Sequence, residues 1–450
     1  MVSQASPISV QATRAHPPSD RSRQLATWAA AILLGGSLAG YFLLDGAPTT
    51  KWAAVSPIAT WAAGFFALLL MLRLWLWSRY RPMTLTTQER ANAPSLTVVI
   101  PAYNEGHGVR ASIASVLASD YPPEKLRVIV VDDGSTDDTW AHIQAATQGH
   151  EDRVLALRSA RNRGKRHALY EGFSRARTDL VVTLDSDSQV GKESLLNLVV
   201  PFVRDARVAA VAGKVLVHNR GANLLTRMLG VRYILGFDFI RAYQSQLRTV
   251  WCCPGALQAY RRVLIAPHLE SWRDQRFLGA RCTNGDDHAM TNHVLSLGYD
   301  ALYQSNATVE TIVPESYLQL TRMYTRWGRS ATREGLRALR FAPRRAWKLG
   351  PLRGPLVLAD ALLQPLGILC RVAFLLLAMW LVITQPLAFL SAASITGVVA
   401  LLYGAVYLKS ERSWEVVFGI CYAYFALFAL FWVQPYATMT VRENGWLTRR

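Results

Sequence analysis

The sequence is poor in cysteine, with five among 450 residues. Cys252 and Cys253 are adjacent, and Cys370 and Cys421 sit in apolar runs, so no metal-ligand spacing appears and no disulfide framework is expected. That usage fits a reducing, cytosolic domain. Acidic residues are also scarce: 31 Asp and Glu stand against 49 Lys and Arg, a formal net charge of +18. No zinc-finger or RNP-type motif accompanies the positive charge, which argues against a nucleic-acid partner. The arginines gather instead beside apolar stretches, as at Arg73, Arg79, Arg81, Arg322, Arg326, Arg329, Arg340, Arg344 and Arg345. Positive charge next to membrane segments belongs on the cytosolic side, against lipid headgroups. Charge of either sign is nearly missing from stretches near both ends, while apolar residues make up 51% of the chain. The expectation is an integral membrane protein with one soluble domain in its middle.

Residues 25–44 and 52–72 are each long enough to cross a hydrocarbon core of ~30 Å, which takes about 20 helical residues. The first could be a signal peptide, but it is long for one and a second stretch follows at once, so 25–80 reads as two anchors. The tail 1–24 carries Arg14, Arg21 and Arg23, and the link 45–51 has one charge of each sign. Tail and central domain then both lie in the cytosol. A second membrane section, 355–440, holds three apolar stretches: 362–384, with Gln364 and Arg371 inside it, 387–408 and 416–433. Gln385-Pro386 suits the outside and Lys409-Ser410-Glu411-Arg412 the inside. A third full crossing would put the terminal segment 441–450, with Arg442, Arg449 and Arg450, on the wrong side. The last stretch is therefore expected to lie at the interface or re-enter, with a full span as the alternative.

Residues 95–315 alternate strand-like and helix-like segments. Strands are expected at 96–101, 126–131, 179–184 and 208–212, with helices at 108–119 and 137–146 between them. This is an α/β fold, Rossmann-like, with a mostly parallel sheet. Such sheets bind ligands at the carboxyl ends of their strands, and the acids of this chain cluster there. Asp132 and Asp133 follow the second strand; the plain alternative is a turn capped by Ser135 or Thr136. Asp185 and Asp187 follow the third, and residues two apart in an extended segment point the same way. Together they suit a hard cation such as Mg²⁺ or Mn²⁺ shared with substrate phosphates, although such a pair alone is more often a solvated turn. Asp286 and Asp287 open another helix, where a carboxylate either accepts a hydroxyl proton or merely favours the helix N-terminus. Arg161-Asn162-Arg163-Gly164-Lys165-Arg166 is a basic knot able to contact a diphosphate, or a solvated surface.

In this order the motifs resemble family 2 glycosyltransferases, the GT-A fold group that includes hyaluronan, chitin and cellulose synthases. Pro101-Ala102-Tyr103-Asn104-Glu105 looks like the donor-site turn and Asp132-Asp133-Gly134-Ser135-Thr136 like the nucleotide-contacting loop. Asp185-Ser186-Asp187 matches the metal-binding DxD. Gly255 followed by Tyr260-Arg261-Arg262 is similar to the acceptor-side segment, and Gly285-Asp286-Asp287 to the segment supplying the general base. Arg326-Trp327, in the helical section 316–350, matches the end of the QxxRW signature of processive members. GDDHAMTNHVLSLGY, VPESYL, RWGRSATRE and the ending QPYATMTVRENGWLTR are similar to bacterial hyaluronan synthases and rhizobial chitin-oligosaccharide synthases. Three departures stand out: Met323 where the signature has Gln, Cys253-Pro254-Gly255-Ala256 where SGP is usual, and Trp446-Leu447-Thr448-Arg449 where hyaluronan synthases have WGTR.

The resemblance implies a UDP-sugar donor, a growing polysaccharide acceptor, a membrane-lipid environment and a multi-pass inner-membrane protein with its catalytic domain in the cytosol. It implies donor contacts by Pro101, Ala102, Tyr103, Glu105, Asp133, Lys165, Arg166, Asp185 and Arg326, and a divalent metal on Asp187 helped by Asp185. Asp287 would be the base, with Asp286 as fallback. Gly255 and Trp327 would meet the acceptor, and Trp446, Thr448 and Arg449 would form a terminal gating motif. Arg371 would line a polysaccharide channel or snorkel to the interface. Two rivals are a non-processive member adding one sugar to a lipid, and a non-catalytic polysaccharide transporter or sensor.

Overall fold

In a computed structural model of the protein, residues 27–33, 35, 56–384 and 388–443 are described. Among the described residues ten strands form: β1 (Leu96–Ala102), β2 (Leu126–Asp132), β3 (Val154–Arg158), β4 (Leu180–Leu184), β5 (Ser188–Val190), β6 (Val208–Val217), β7 (Leu257–Arg261), β8 (Arg276–Phe277), β9 (Ala280–Arg281) and β10 (Asp300–Thr311). Eight of them make one sheet in the order β3-β2-β1-β4-β7-β6-β10-β5, and β8 and β9 pair separately. β1 runs parallel to β2 and β4, β2 to β3, and β6 to β10. β7 is antiparallel to both neighbours and β5 to β10. The Val- and Ile-rich runs of β1 and β4 are buried along their whole length, as expected of strands covered on both faces. The helices Gly108–Leu117, Lys165–Arg175 and Ser194–Arg204 turn buried apolar residues toward the protein interior. Because β1, β2 and β4 are parallel neighbours, their carboxyl ends open on one edge, where the sheet's crossover direction reverses.

The helix Tyr317–Ala338 follows the domain and packs against the helices Asp286–Ser296, Ala342–Thr384 and Val433–Met439. Its polar residues are not all solvated: Arg329 and Arg333 are both buried. Ala342–Thr384 is broken at Gly350, whose φ of 78° interrupts the helix just before Pro351. The expected stretch 362–384 is its second half; the side chain of Arg371 lies outside the described residues. Of the first two apolar stretches, 52–72 falls mostly in the helix Ser56–Arg79, and 25–44 is described only at 27–33 and 35. Among the described residues one helical segment, Ala393–Glu411, is by itself long and apolar enough to cross a membrane. The last stretch, 416–433, forms the helix Val416–Ala429, and a shorter helix, Val433–Met439, follows it, bent by 50° from the first. The shorter one lies against Tyr317–Ala338, so close that a Cβ on Gly328 would meet Ala437 Cβ at 2.7 Å. Trp446, Thr448 and Arg449 lie outside the described residues.

Candidate active site

The turn after β1 is held by the turn after β2. Asn104, at φ 51°, donates its N–H to Ser135 Oγ at 3.0 Å and its Oδ1 accepts from Thr136 N–H at 2.9 Å. Thr139 Oγ1 takes the N–H groups of Glu105 and Gly106, both at 2.8 Å. This pinning leaves Pro101, Ala102, Tyr103 and Glu105 on the wall of a cavity of about 1740 Å³ at the carboxyl edge of the sheet.

The two acids after β2 divide their work. Asp132 is the turn residue: its Oδ1 accepts Ser135 N–H at 2.9 Å, and its other oxygen faces Arg158 Nε at 3.3 Å. Asp133 reaches the cavity wall and accepts backbone N–H groups from Arg163 and from Gly164, the latter at 2.7 Å. Burial pushes its carboxyl above the usual carboxylate value, and the two donors work against that shift. Gly134 between these loops has φ 73°, and a Cβ there would stand 2.5 Å from the Arg161 carbonyl carbon, so the close approach needs glycine.

Lys165 begins the helix Lys165–Arg175 and points into the cavity, where its ammonium pairs with Asp185 and stands 4.0 Å from Asp286 Oδ2. Burial alone would lower this ammonium, but Asp185, Asp286 and Asp287 together hold it above its ordinary value. Arg166 does not join it. Neighbouring residues of a helix point about 100° apart, and Arg166 is buried elsewhere, donating to Trp272 O at 3.1 Å, Gln275 Oε1 at 2.6 Å and Asn284 O at 3.1 Å.

Asp185, Ser186 and Asp187 line the cavity after β4. Ser186 Oγ donates to Glu105, tying the donor-site turn to the DxD. Asp187 Oδ1 accepts from Ser188 Oγ at 3.2 Å and Thr311 Oγ1 at 3.4 Å. Carboxylate oxygens of this kind fit Mg²⁺ or Mn²⁺. Asp185 is paired with Lys165, and the carboxylates of Asp185 and Asp187 both stand on the cavity wall. No group of three or more His, Cys, Asp and Glu suited to a metal exists among the described residues, so a cation here would draw its remaining ligands from phosphate and water.

Lining the same cavity, Gly285 adopts φ 74° and turns the chain into the helix Asp286–Ser296. Asp287 Oδ1 accepts His288 N–H at 2.7 Å, and its Oδ2 accepts Gly255 N–H at 3.2 Å. Gly255 fits between two functional side chains: a Cβ would lie 3.3 Å from Lys165 Nζ and 3.8 Å from Asp287 Oδ2. Burial and the neighbouring Asp286 raise the Asp287 carboxyl to about 6, while Lys165 and the two N–H groups hold it down. Asp286 Oδ2 is buried without a hydrogen-bond partner. His288 is pushed down to about 3 by burial and is neutral at physiological pH. Arg326 and Trp327 complete the wall. Trp327 is 36% exposed and sits among Tyr324, Phe237 and Tyr233, with ring centroids at 5.5, 5.9 and 6.2 Å.

Every expected site residue among the described ones lines this cavity except Arg166. The cavity also takes in residues to which the motifs assigned no role: Cys252, Arg241, Thr311 and Gln434. Gln434 carries a signal in hindsight, since it opens the terminal pattern and its buried Nε2 has no partner. It lies beside Gly328 in the same helix as Met323, the position that lacks the usual Gln.

Residues 97–268 match the family model described as glycosyl transferase family 2. Over 365 residues the chain is 32% identical to the hyaluronan synthase of Streptococcus pyogenes, covering 79% of this chain and 83% of that one. It is 30% identical over 360 residues to an N-acetylglucosaminyltransferase of Rhizobium meliloti (strain 1021), covering 79% and 82%. A solved mannosyltransferase from Pyrobaculum calidifontis, in complex with GDP-Man and Mn²⁺, superposes with a TM-score of 0.52 at 20% identity, over 84% of this chain and 95% of that one. That likeness concerns the fold, which is GT-A. With the acid-lined cavity at the carboxyl edge of its sheet, and with relatives of this identity over most of its length, the chain belongs to the family 2 glycosyltransferases.

Proposed function

We propose that the protein is a processive, inverting glycosyltransferase of the cell membrane. It polymerises sugar from UDP-N-acetylglucosamine, with or without UDP-glucuronate, into a β-linked polysaccharide that leaves through the membrane. The observation that carries this reading is the convergence, on one cavity, of Asp287 and the Asp185–Asp187 pair, with Arg326 and Trp327 lining the same space. Asp133 and residues 101–105 hold the nucleotide. A divalent cation on Asp187, Mg²⁺ or Mn²⁺, would neutralise charge on the diphosphate. Arg326 supplies fixed positive charge to the leaving UDP. Asp287, carboxylate above about pH 6, takes the proton of the acceptor hydroxyl. The hydroxyl oxygen bonds the anomeric carbon from the face opposite the leaving group, the bond from carbon to the phosphate oxygen breaks, and UDP departs. Trp327 offers its face to the acceptor sugar.

Growth and export are supported by the shape of the cavity. It continues past the acids to Phe66, Leu363, Leu366 and Ile368, on helices of the apolar sections. Purified protein in lipid is expected to release UDP from UDP-N-acetylglucosamine only with Mg²⁺ or Mn²⁺, and to yield a polymer on a gel. Asp187→Asn and Asp287→Asn should each abolish release. Undiminished turnover in both variants, or a single transferred sugar as the product, would overturn the reading.

A further inference from the structure

Gly285 can present Asp286 and Asp287 to the cavity only if the residue before it is fixed. That residue, Asn284, is buried and is gripped by two buried arginines from different parts of the chain. Arg166 donates to its carbonyl oxygen at 3.1 Å. Arg333, on the helix Tyr317–Ala338, donates from Nη2 to the same carbonyl at 3.0 Å and to the Asn284 side-chain oxygen. The other terminal nitrogen of Arg333 donates to Val441 O at 3.3 Å. One guanidinium thus bridges the loop before the base and the chain's carboxyl-terminal segment.

The carboxyl-terminal segment has a second anchor one helical turn earlier. Arg329, also buried, donates to Thr440 Oγ1 at 2.9 and 3.1 Å and pairs with Glu443. A buried guanidinium is costly unless its donors are satisfied, so both arginines depend on residues 440–443 for part of their hydrogen bonding, the Nε of Arg333 having no partner of its own. The dependence runs the other way as well. With the segment lifted, Arg333 would lose one of the contacts that fix its fork, and Asn284 one of its fixed donors. Glu334 steadies the same region, accepting from Gln275 Nε2 at 3.0 Å and from Asn292 Nδ2 at 3.1 Å, the latter on the helix that Asp287 opens.

We propose that Arg333 is a positioning residue that couples docking of the segment Thr440–Glu443 to the placement of Asp287. The proposal rests on the reading of Asp287 as the base. Planar bidentate geometry is what a lysine cannot copy, so Arg333→Lys tests the bridge without removing the charge, and Thr440→Ala/Glu443→Ala loosens the segment from its far side. In full-length protein in lipid, kcat for UDP release should fall about 10- to 100-fold in Arg333→Lys, the scale of an ångström-sized misplacement. KM for the UDP-sugar should stay within about twofold, because the donor contacts are untouched. Thr440→Ala/Glu443→Ala should show a smaller fall of the same kind, and the combined variant should lose less than the product of the two, as expected of groups in one network. Hydrogen exchange supplies a readout independent of turnover: amides of 284–288 should exchange faster in Thr440→Ala/Glu443→Ala, although no substitution lies in that loop. Unchanged kcat in Arg333→Lys, multiplicative losses, or unaltered exchange at 284–288 would each overturn the coupling. An inactive parent protein whose loop still responds to the terminal variants would instead remove the catalytic reading and leave the coupling standing.

Discussion

At the scale of single residues, the acids are distinguished by what surrounds them rather than by their motif. Asp287 is raised to about 6 chiefly by burial and by Asp286, and lowered by Lys165. A base works when deprotonated, so kcat/KM should rise with pH through about 6. Asp286→Asn removes the like charge and should move that limb to lower pH, whereas Lys165→Met removes the opposing cation and should move it higher. Measuring kcat/KM from pH 5 to 8 for both variants decides the matter; shifts of the same sign would exclude Asp287 as the titrating base. The placement of Asp133, Asp185 and Asp187 was legible in the sequence, because carboxylates directly after buried strands have one edge of the sheet to occupy. What was not legible was direction around a helix. Lys165 and Arg166 are adjacent in a motif that resembles a donor loop, yet Lys165 enters the cavity while Arg166 anchors the loop before Asp286 and Asp287. Nor does DDGS say that Asp132 closes the turn and leaves Asp133 to the cavity; that depends on Arg163 and Gly164, brought in by another loop.

At the scale of elements, two glycines govern how helices meet the site. Gly285 has φ 74°, and a Cβ there would stand 2.0 Å from Ser330 Oγ. Gly285→Ala should therefore cost about 1–2 kcal/mol from the left-handed backbone alone, and should reduce turnover further as the loop shifts off Ser330. Adding Ser330→Ala should recover part of the turnover and little of the backbone cost, a contrast that thermal unfolding in lipid and UDP release measure separately. Gly328 plays the matching part between Tyr317–Ala338 and Val433–Met439, where a Cβ would meet both Ala437 and Gln434. Gly328→Leu should push the two helices apart and lower activity with the donor-binding residues intact; wild-type rates in that variant would show that the contact is dispensable. The positions of β1, β2, β4 and β6 were readable in advance because apolar, β-rich runs bounded by polar turns permit little else, whereas β3, β5 and β10 were not singled out. β7 was not, since its antiparallel insertion between β4 and β6 follows from tertiary pairing and leaves no local signature.

At the scale of the whole molecule, charge and ion pairs orient the apolar helices relative to the catalytic domain. The link after Ala388–Glu411 is fastened to that domain by Lys214 to Glu411 at 2.9 Å and by an Arg220–Glu415 pair. If Ala393–Glu411 crosses the bilayer, its far end must then lie about 28 Å away, at 1.5 Å per residue over its 19 residues, which is close to a hydrocarbon core of ~30 Å. In that case the pairing would place Ser410 on the catalytic side and Thr384, before the helix, on the other. Positive residues at Lys409 and Arg412 favour the same assignment. Ser410→Cys should accordingly react with a membrane-impermeant maleimide only in inverted vesicles, and Thr384→Cys only in right-side-out vesicles, each compared with the parent protein. The 50° bend between Val416–Ala429 and Val433–Met439 bears on the remaining parity. A straight third crossing would carry residues 440–443 away from Arg329 and Arg333, yet those arginines hold them. A cysteine at Arg442 should therefore label from the same side as Ser410→Cys; labelling from the side of Thr384→Cys would mean that the last stretch crosses the membrane and that its contacts with the catalytic domain do not exist in lipid.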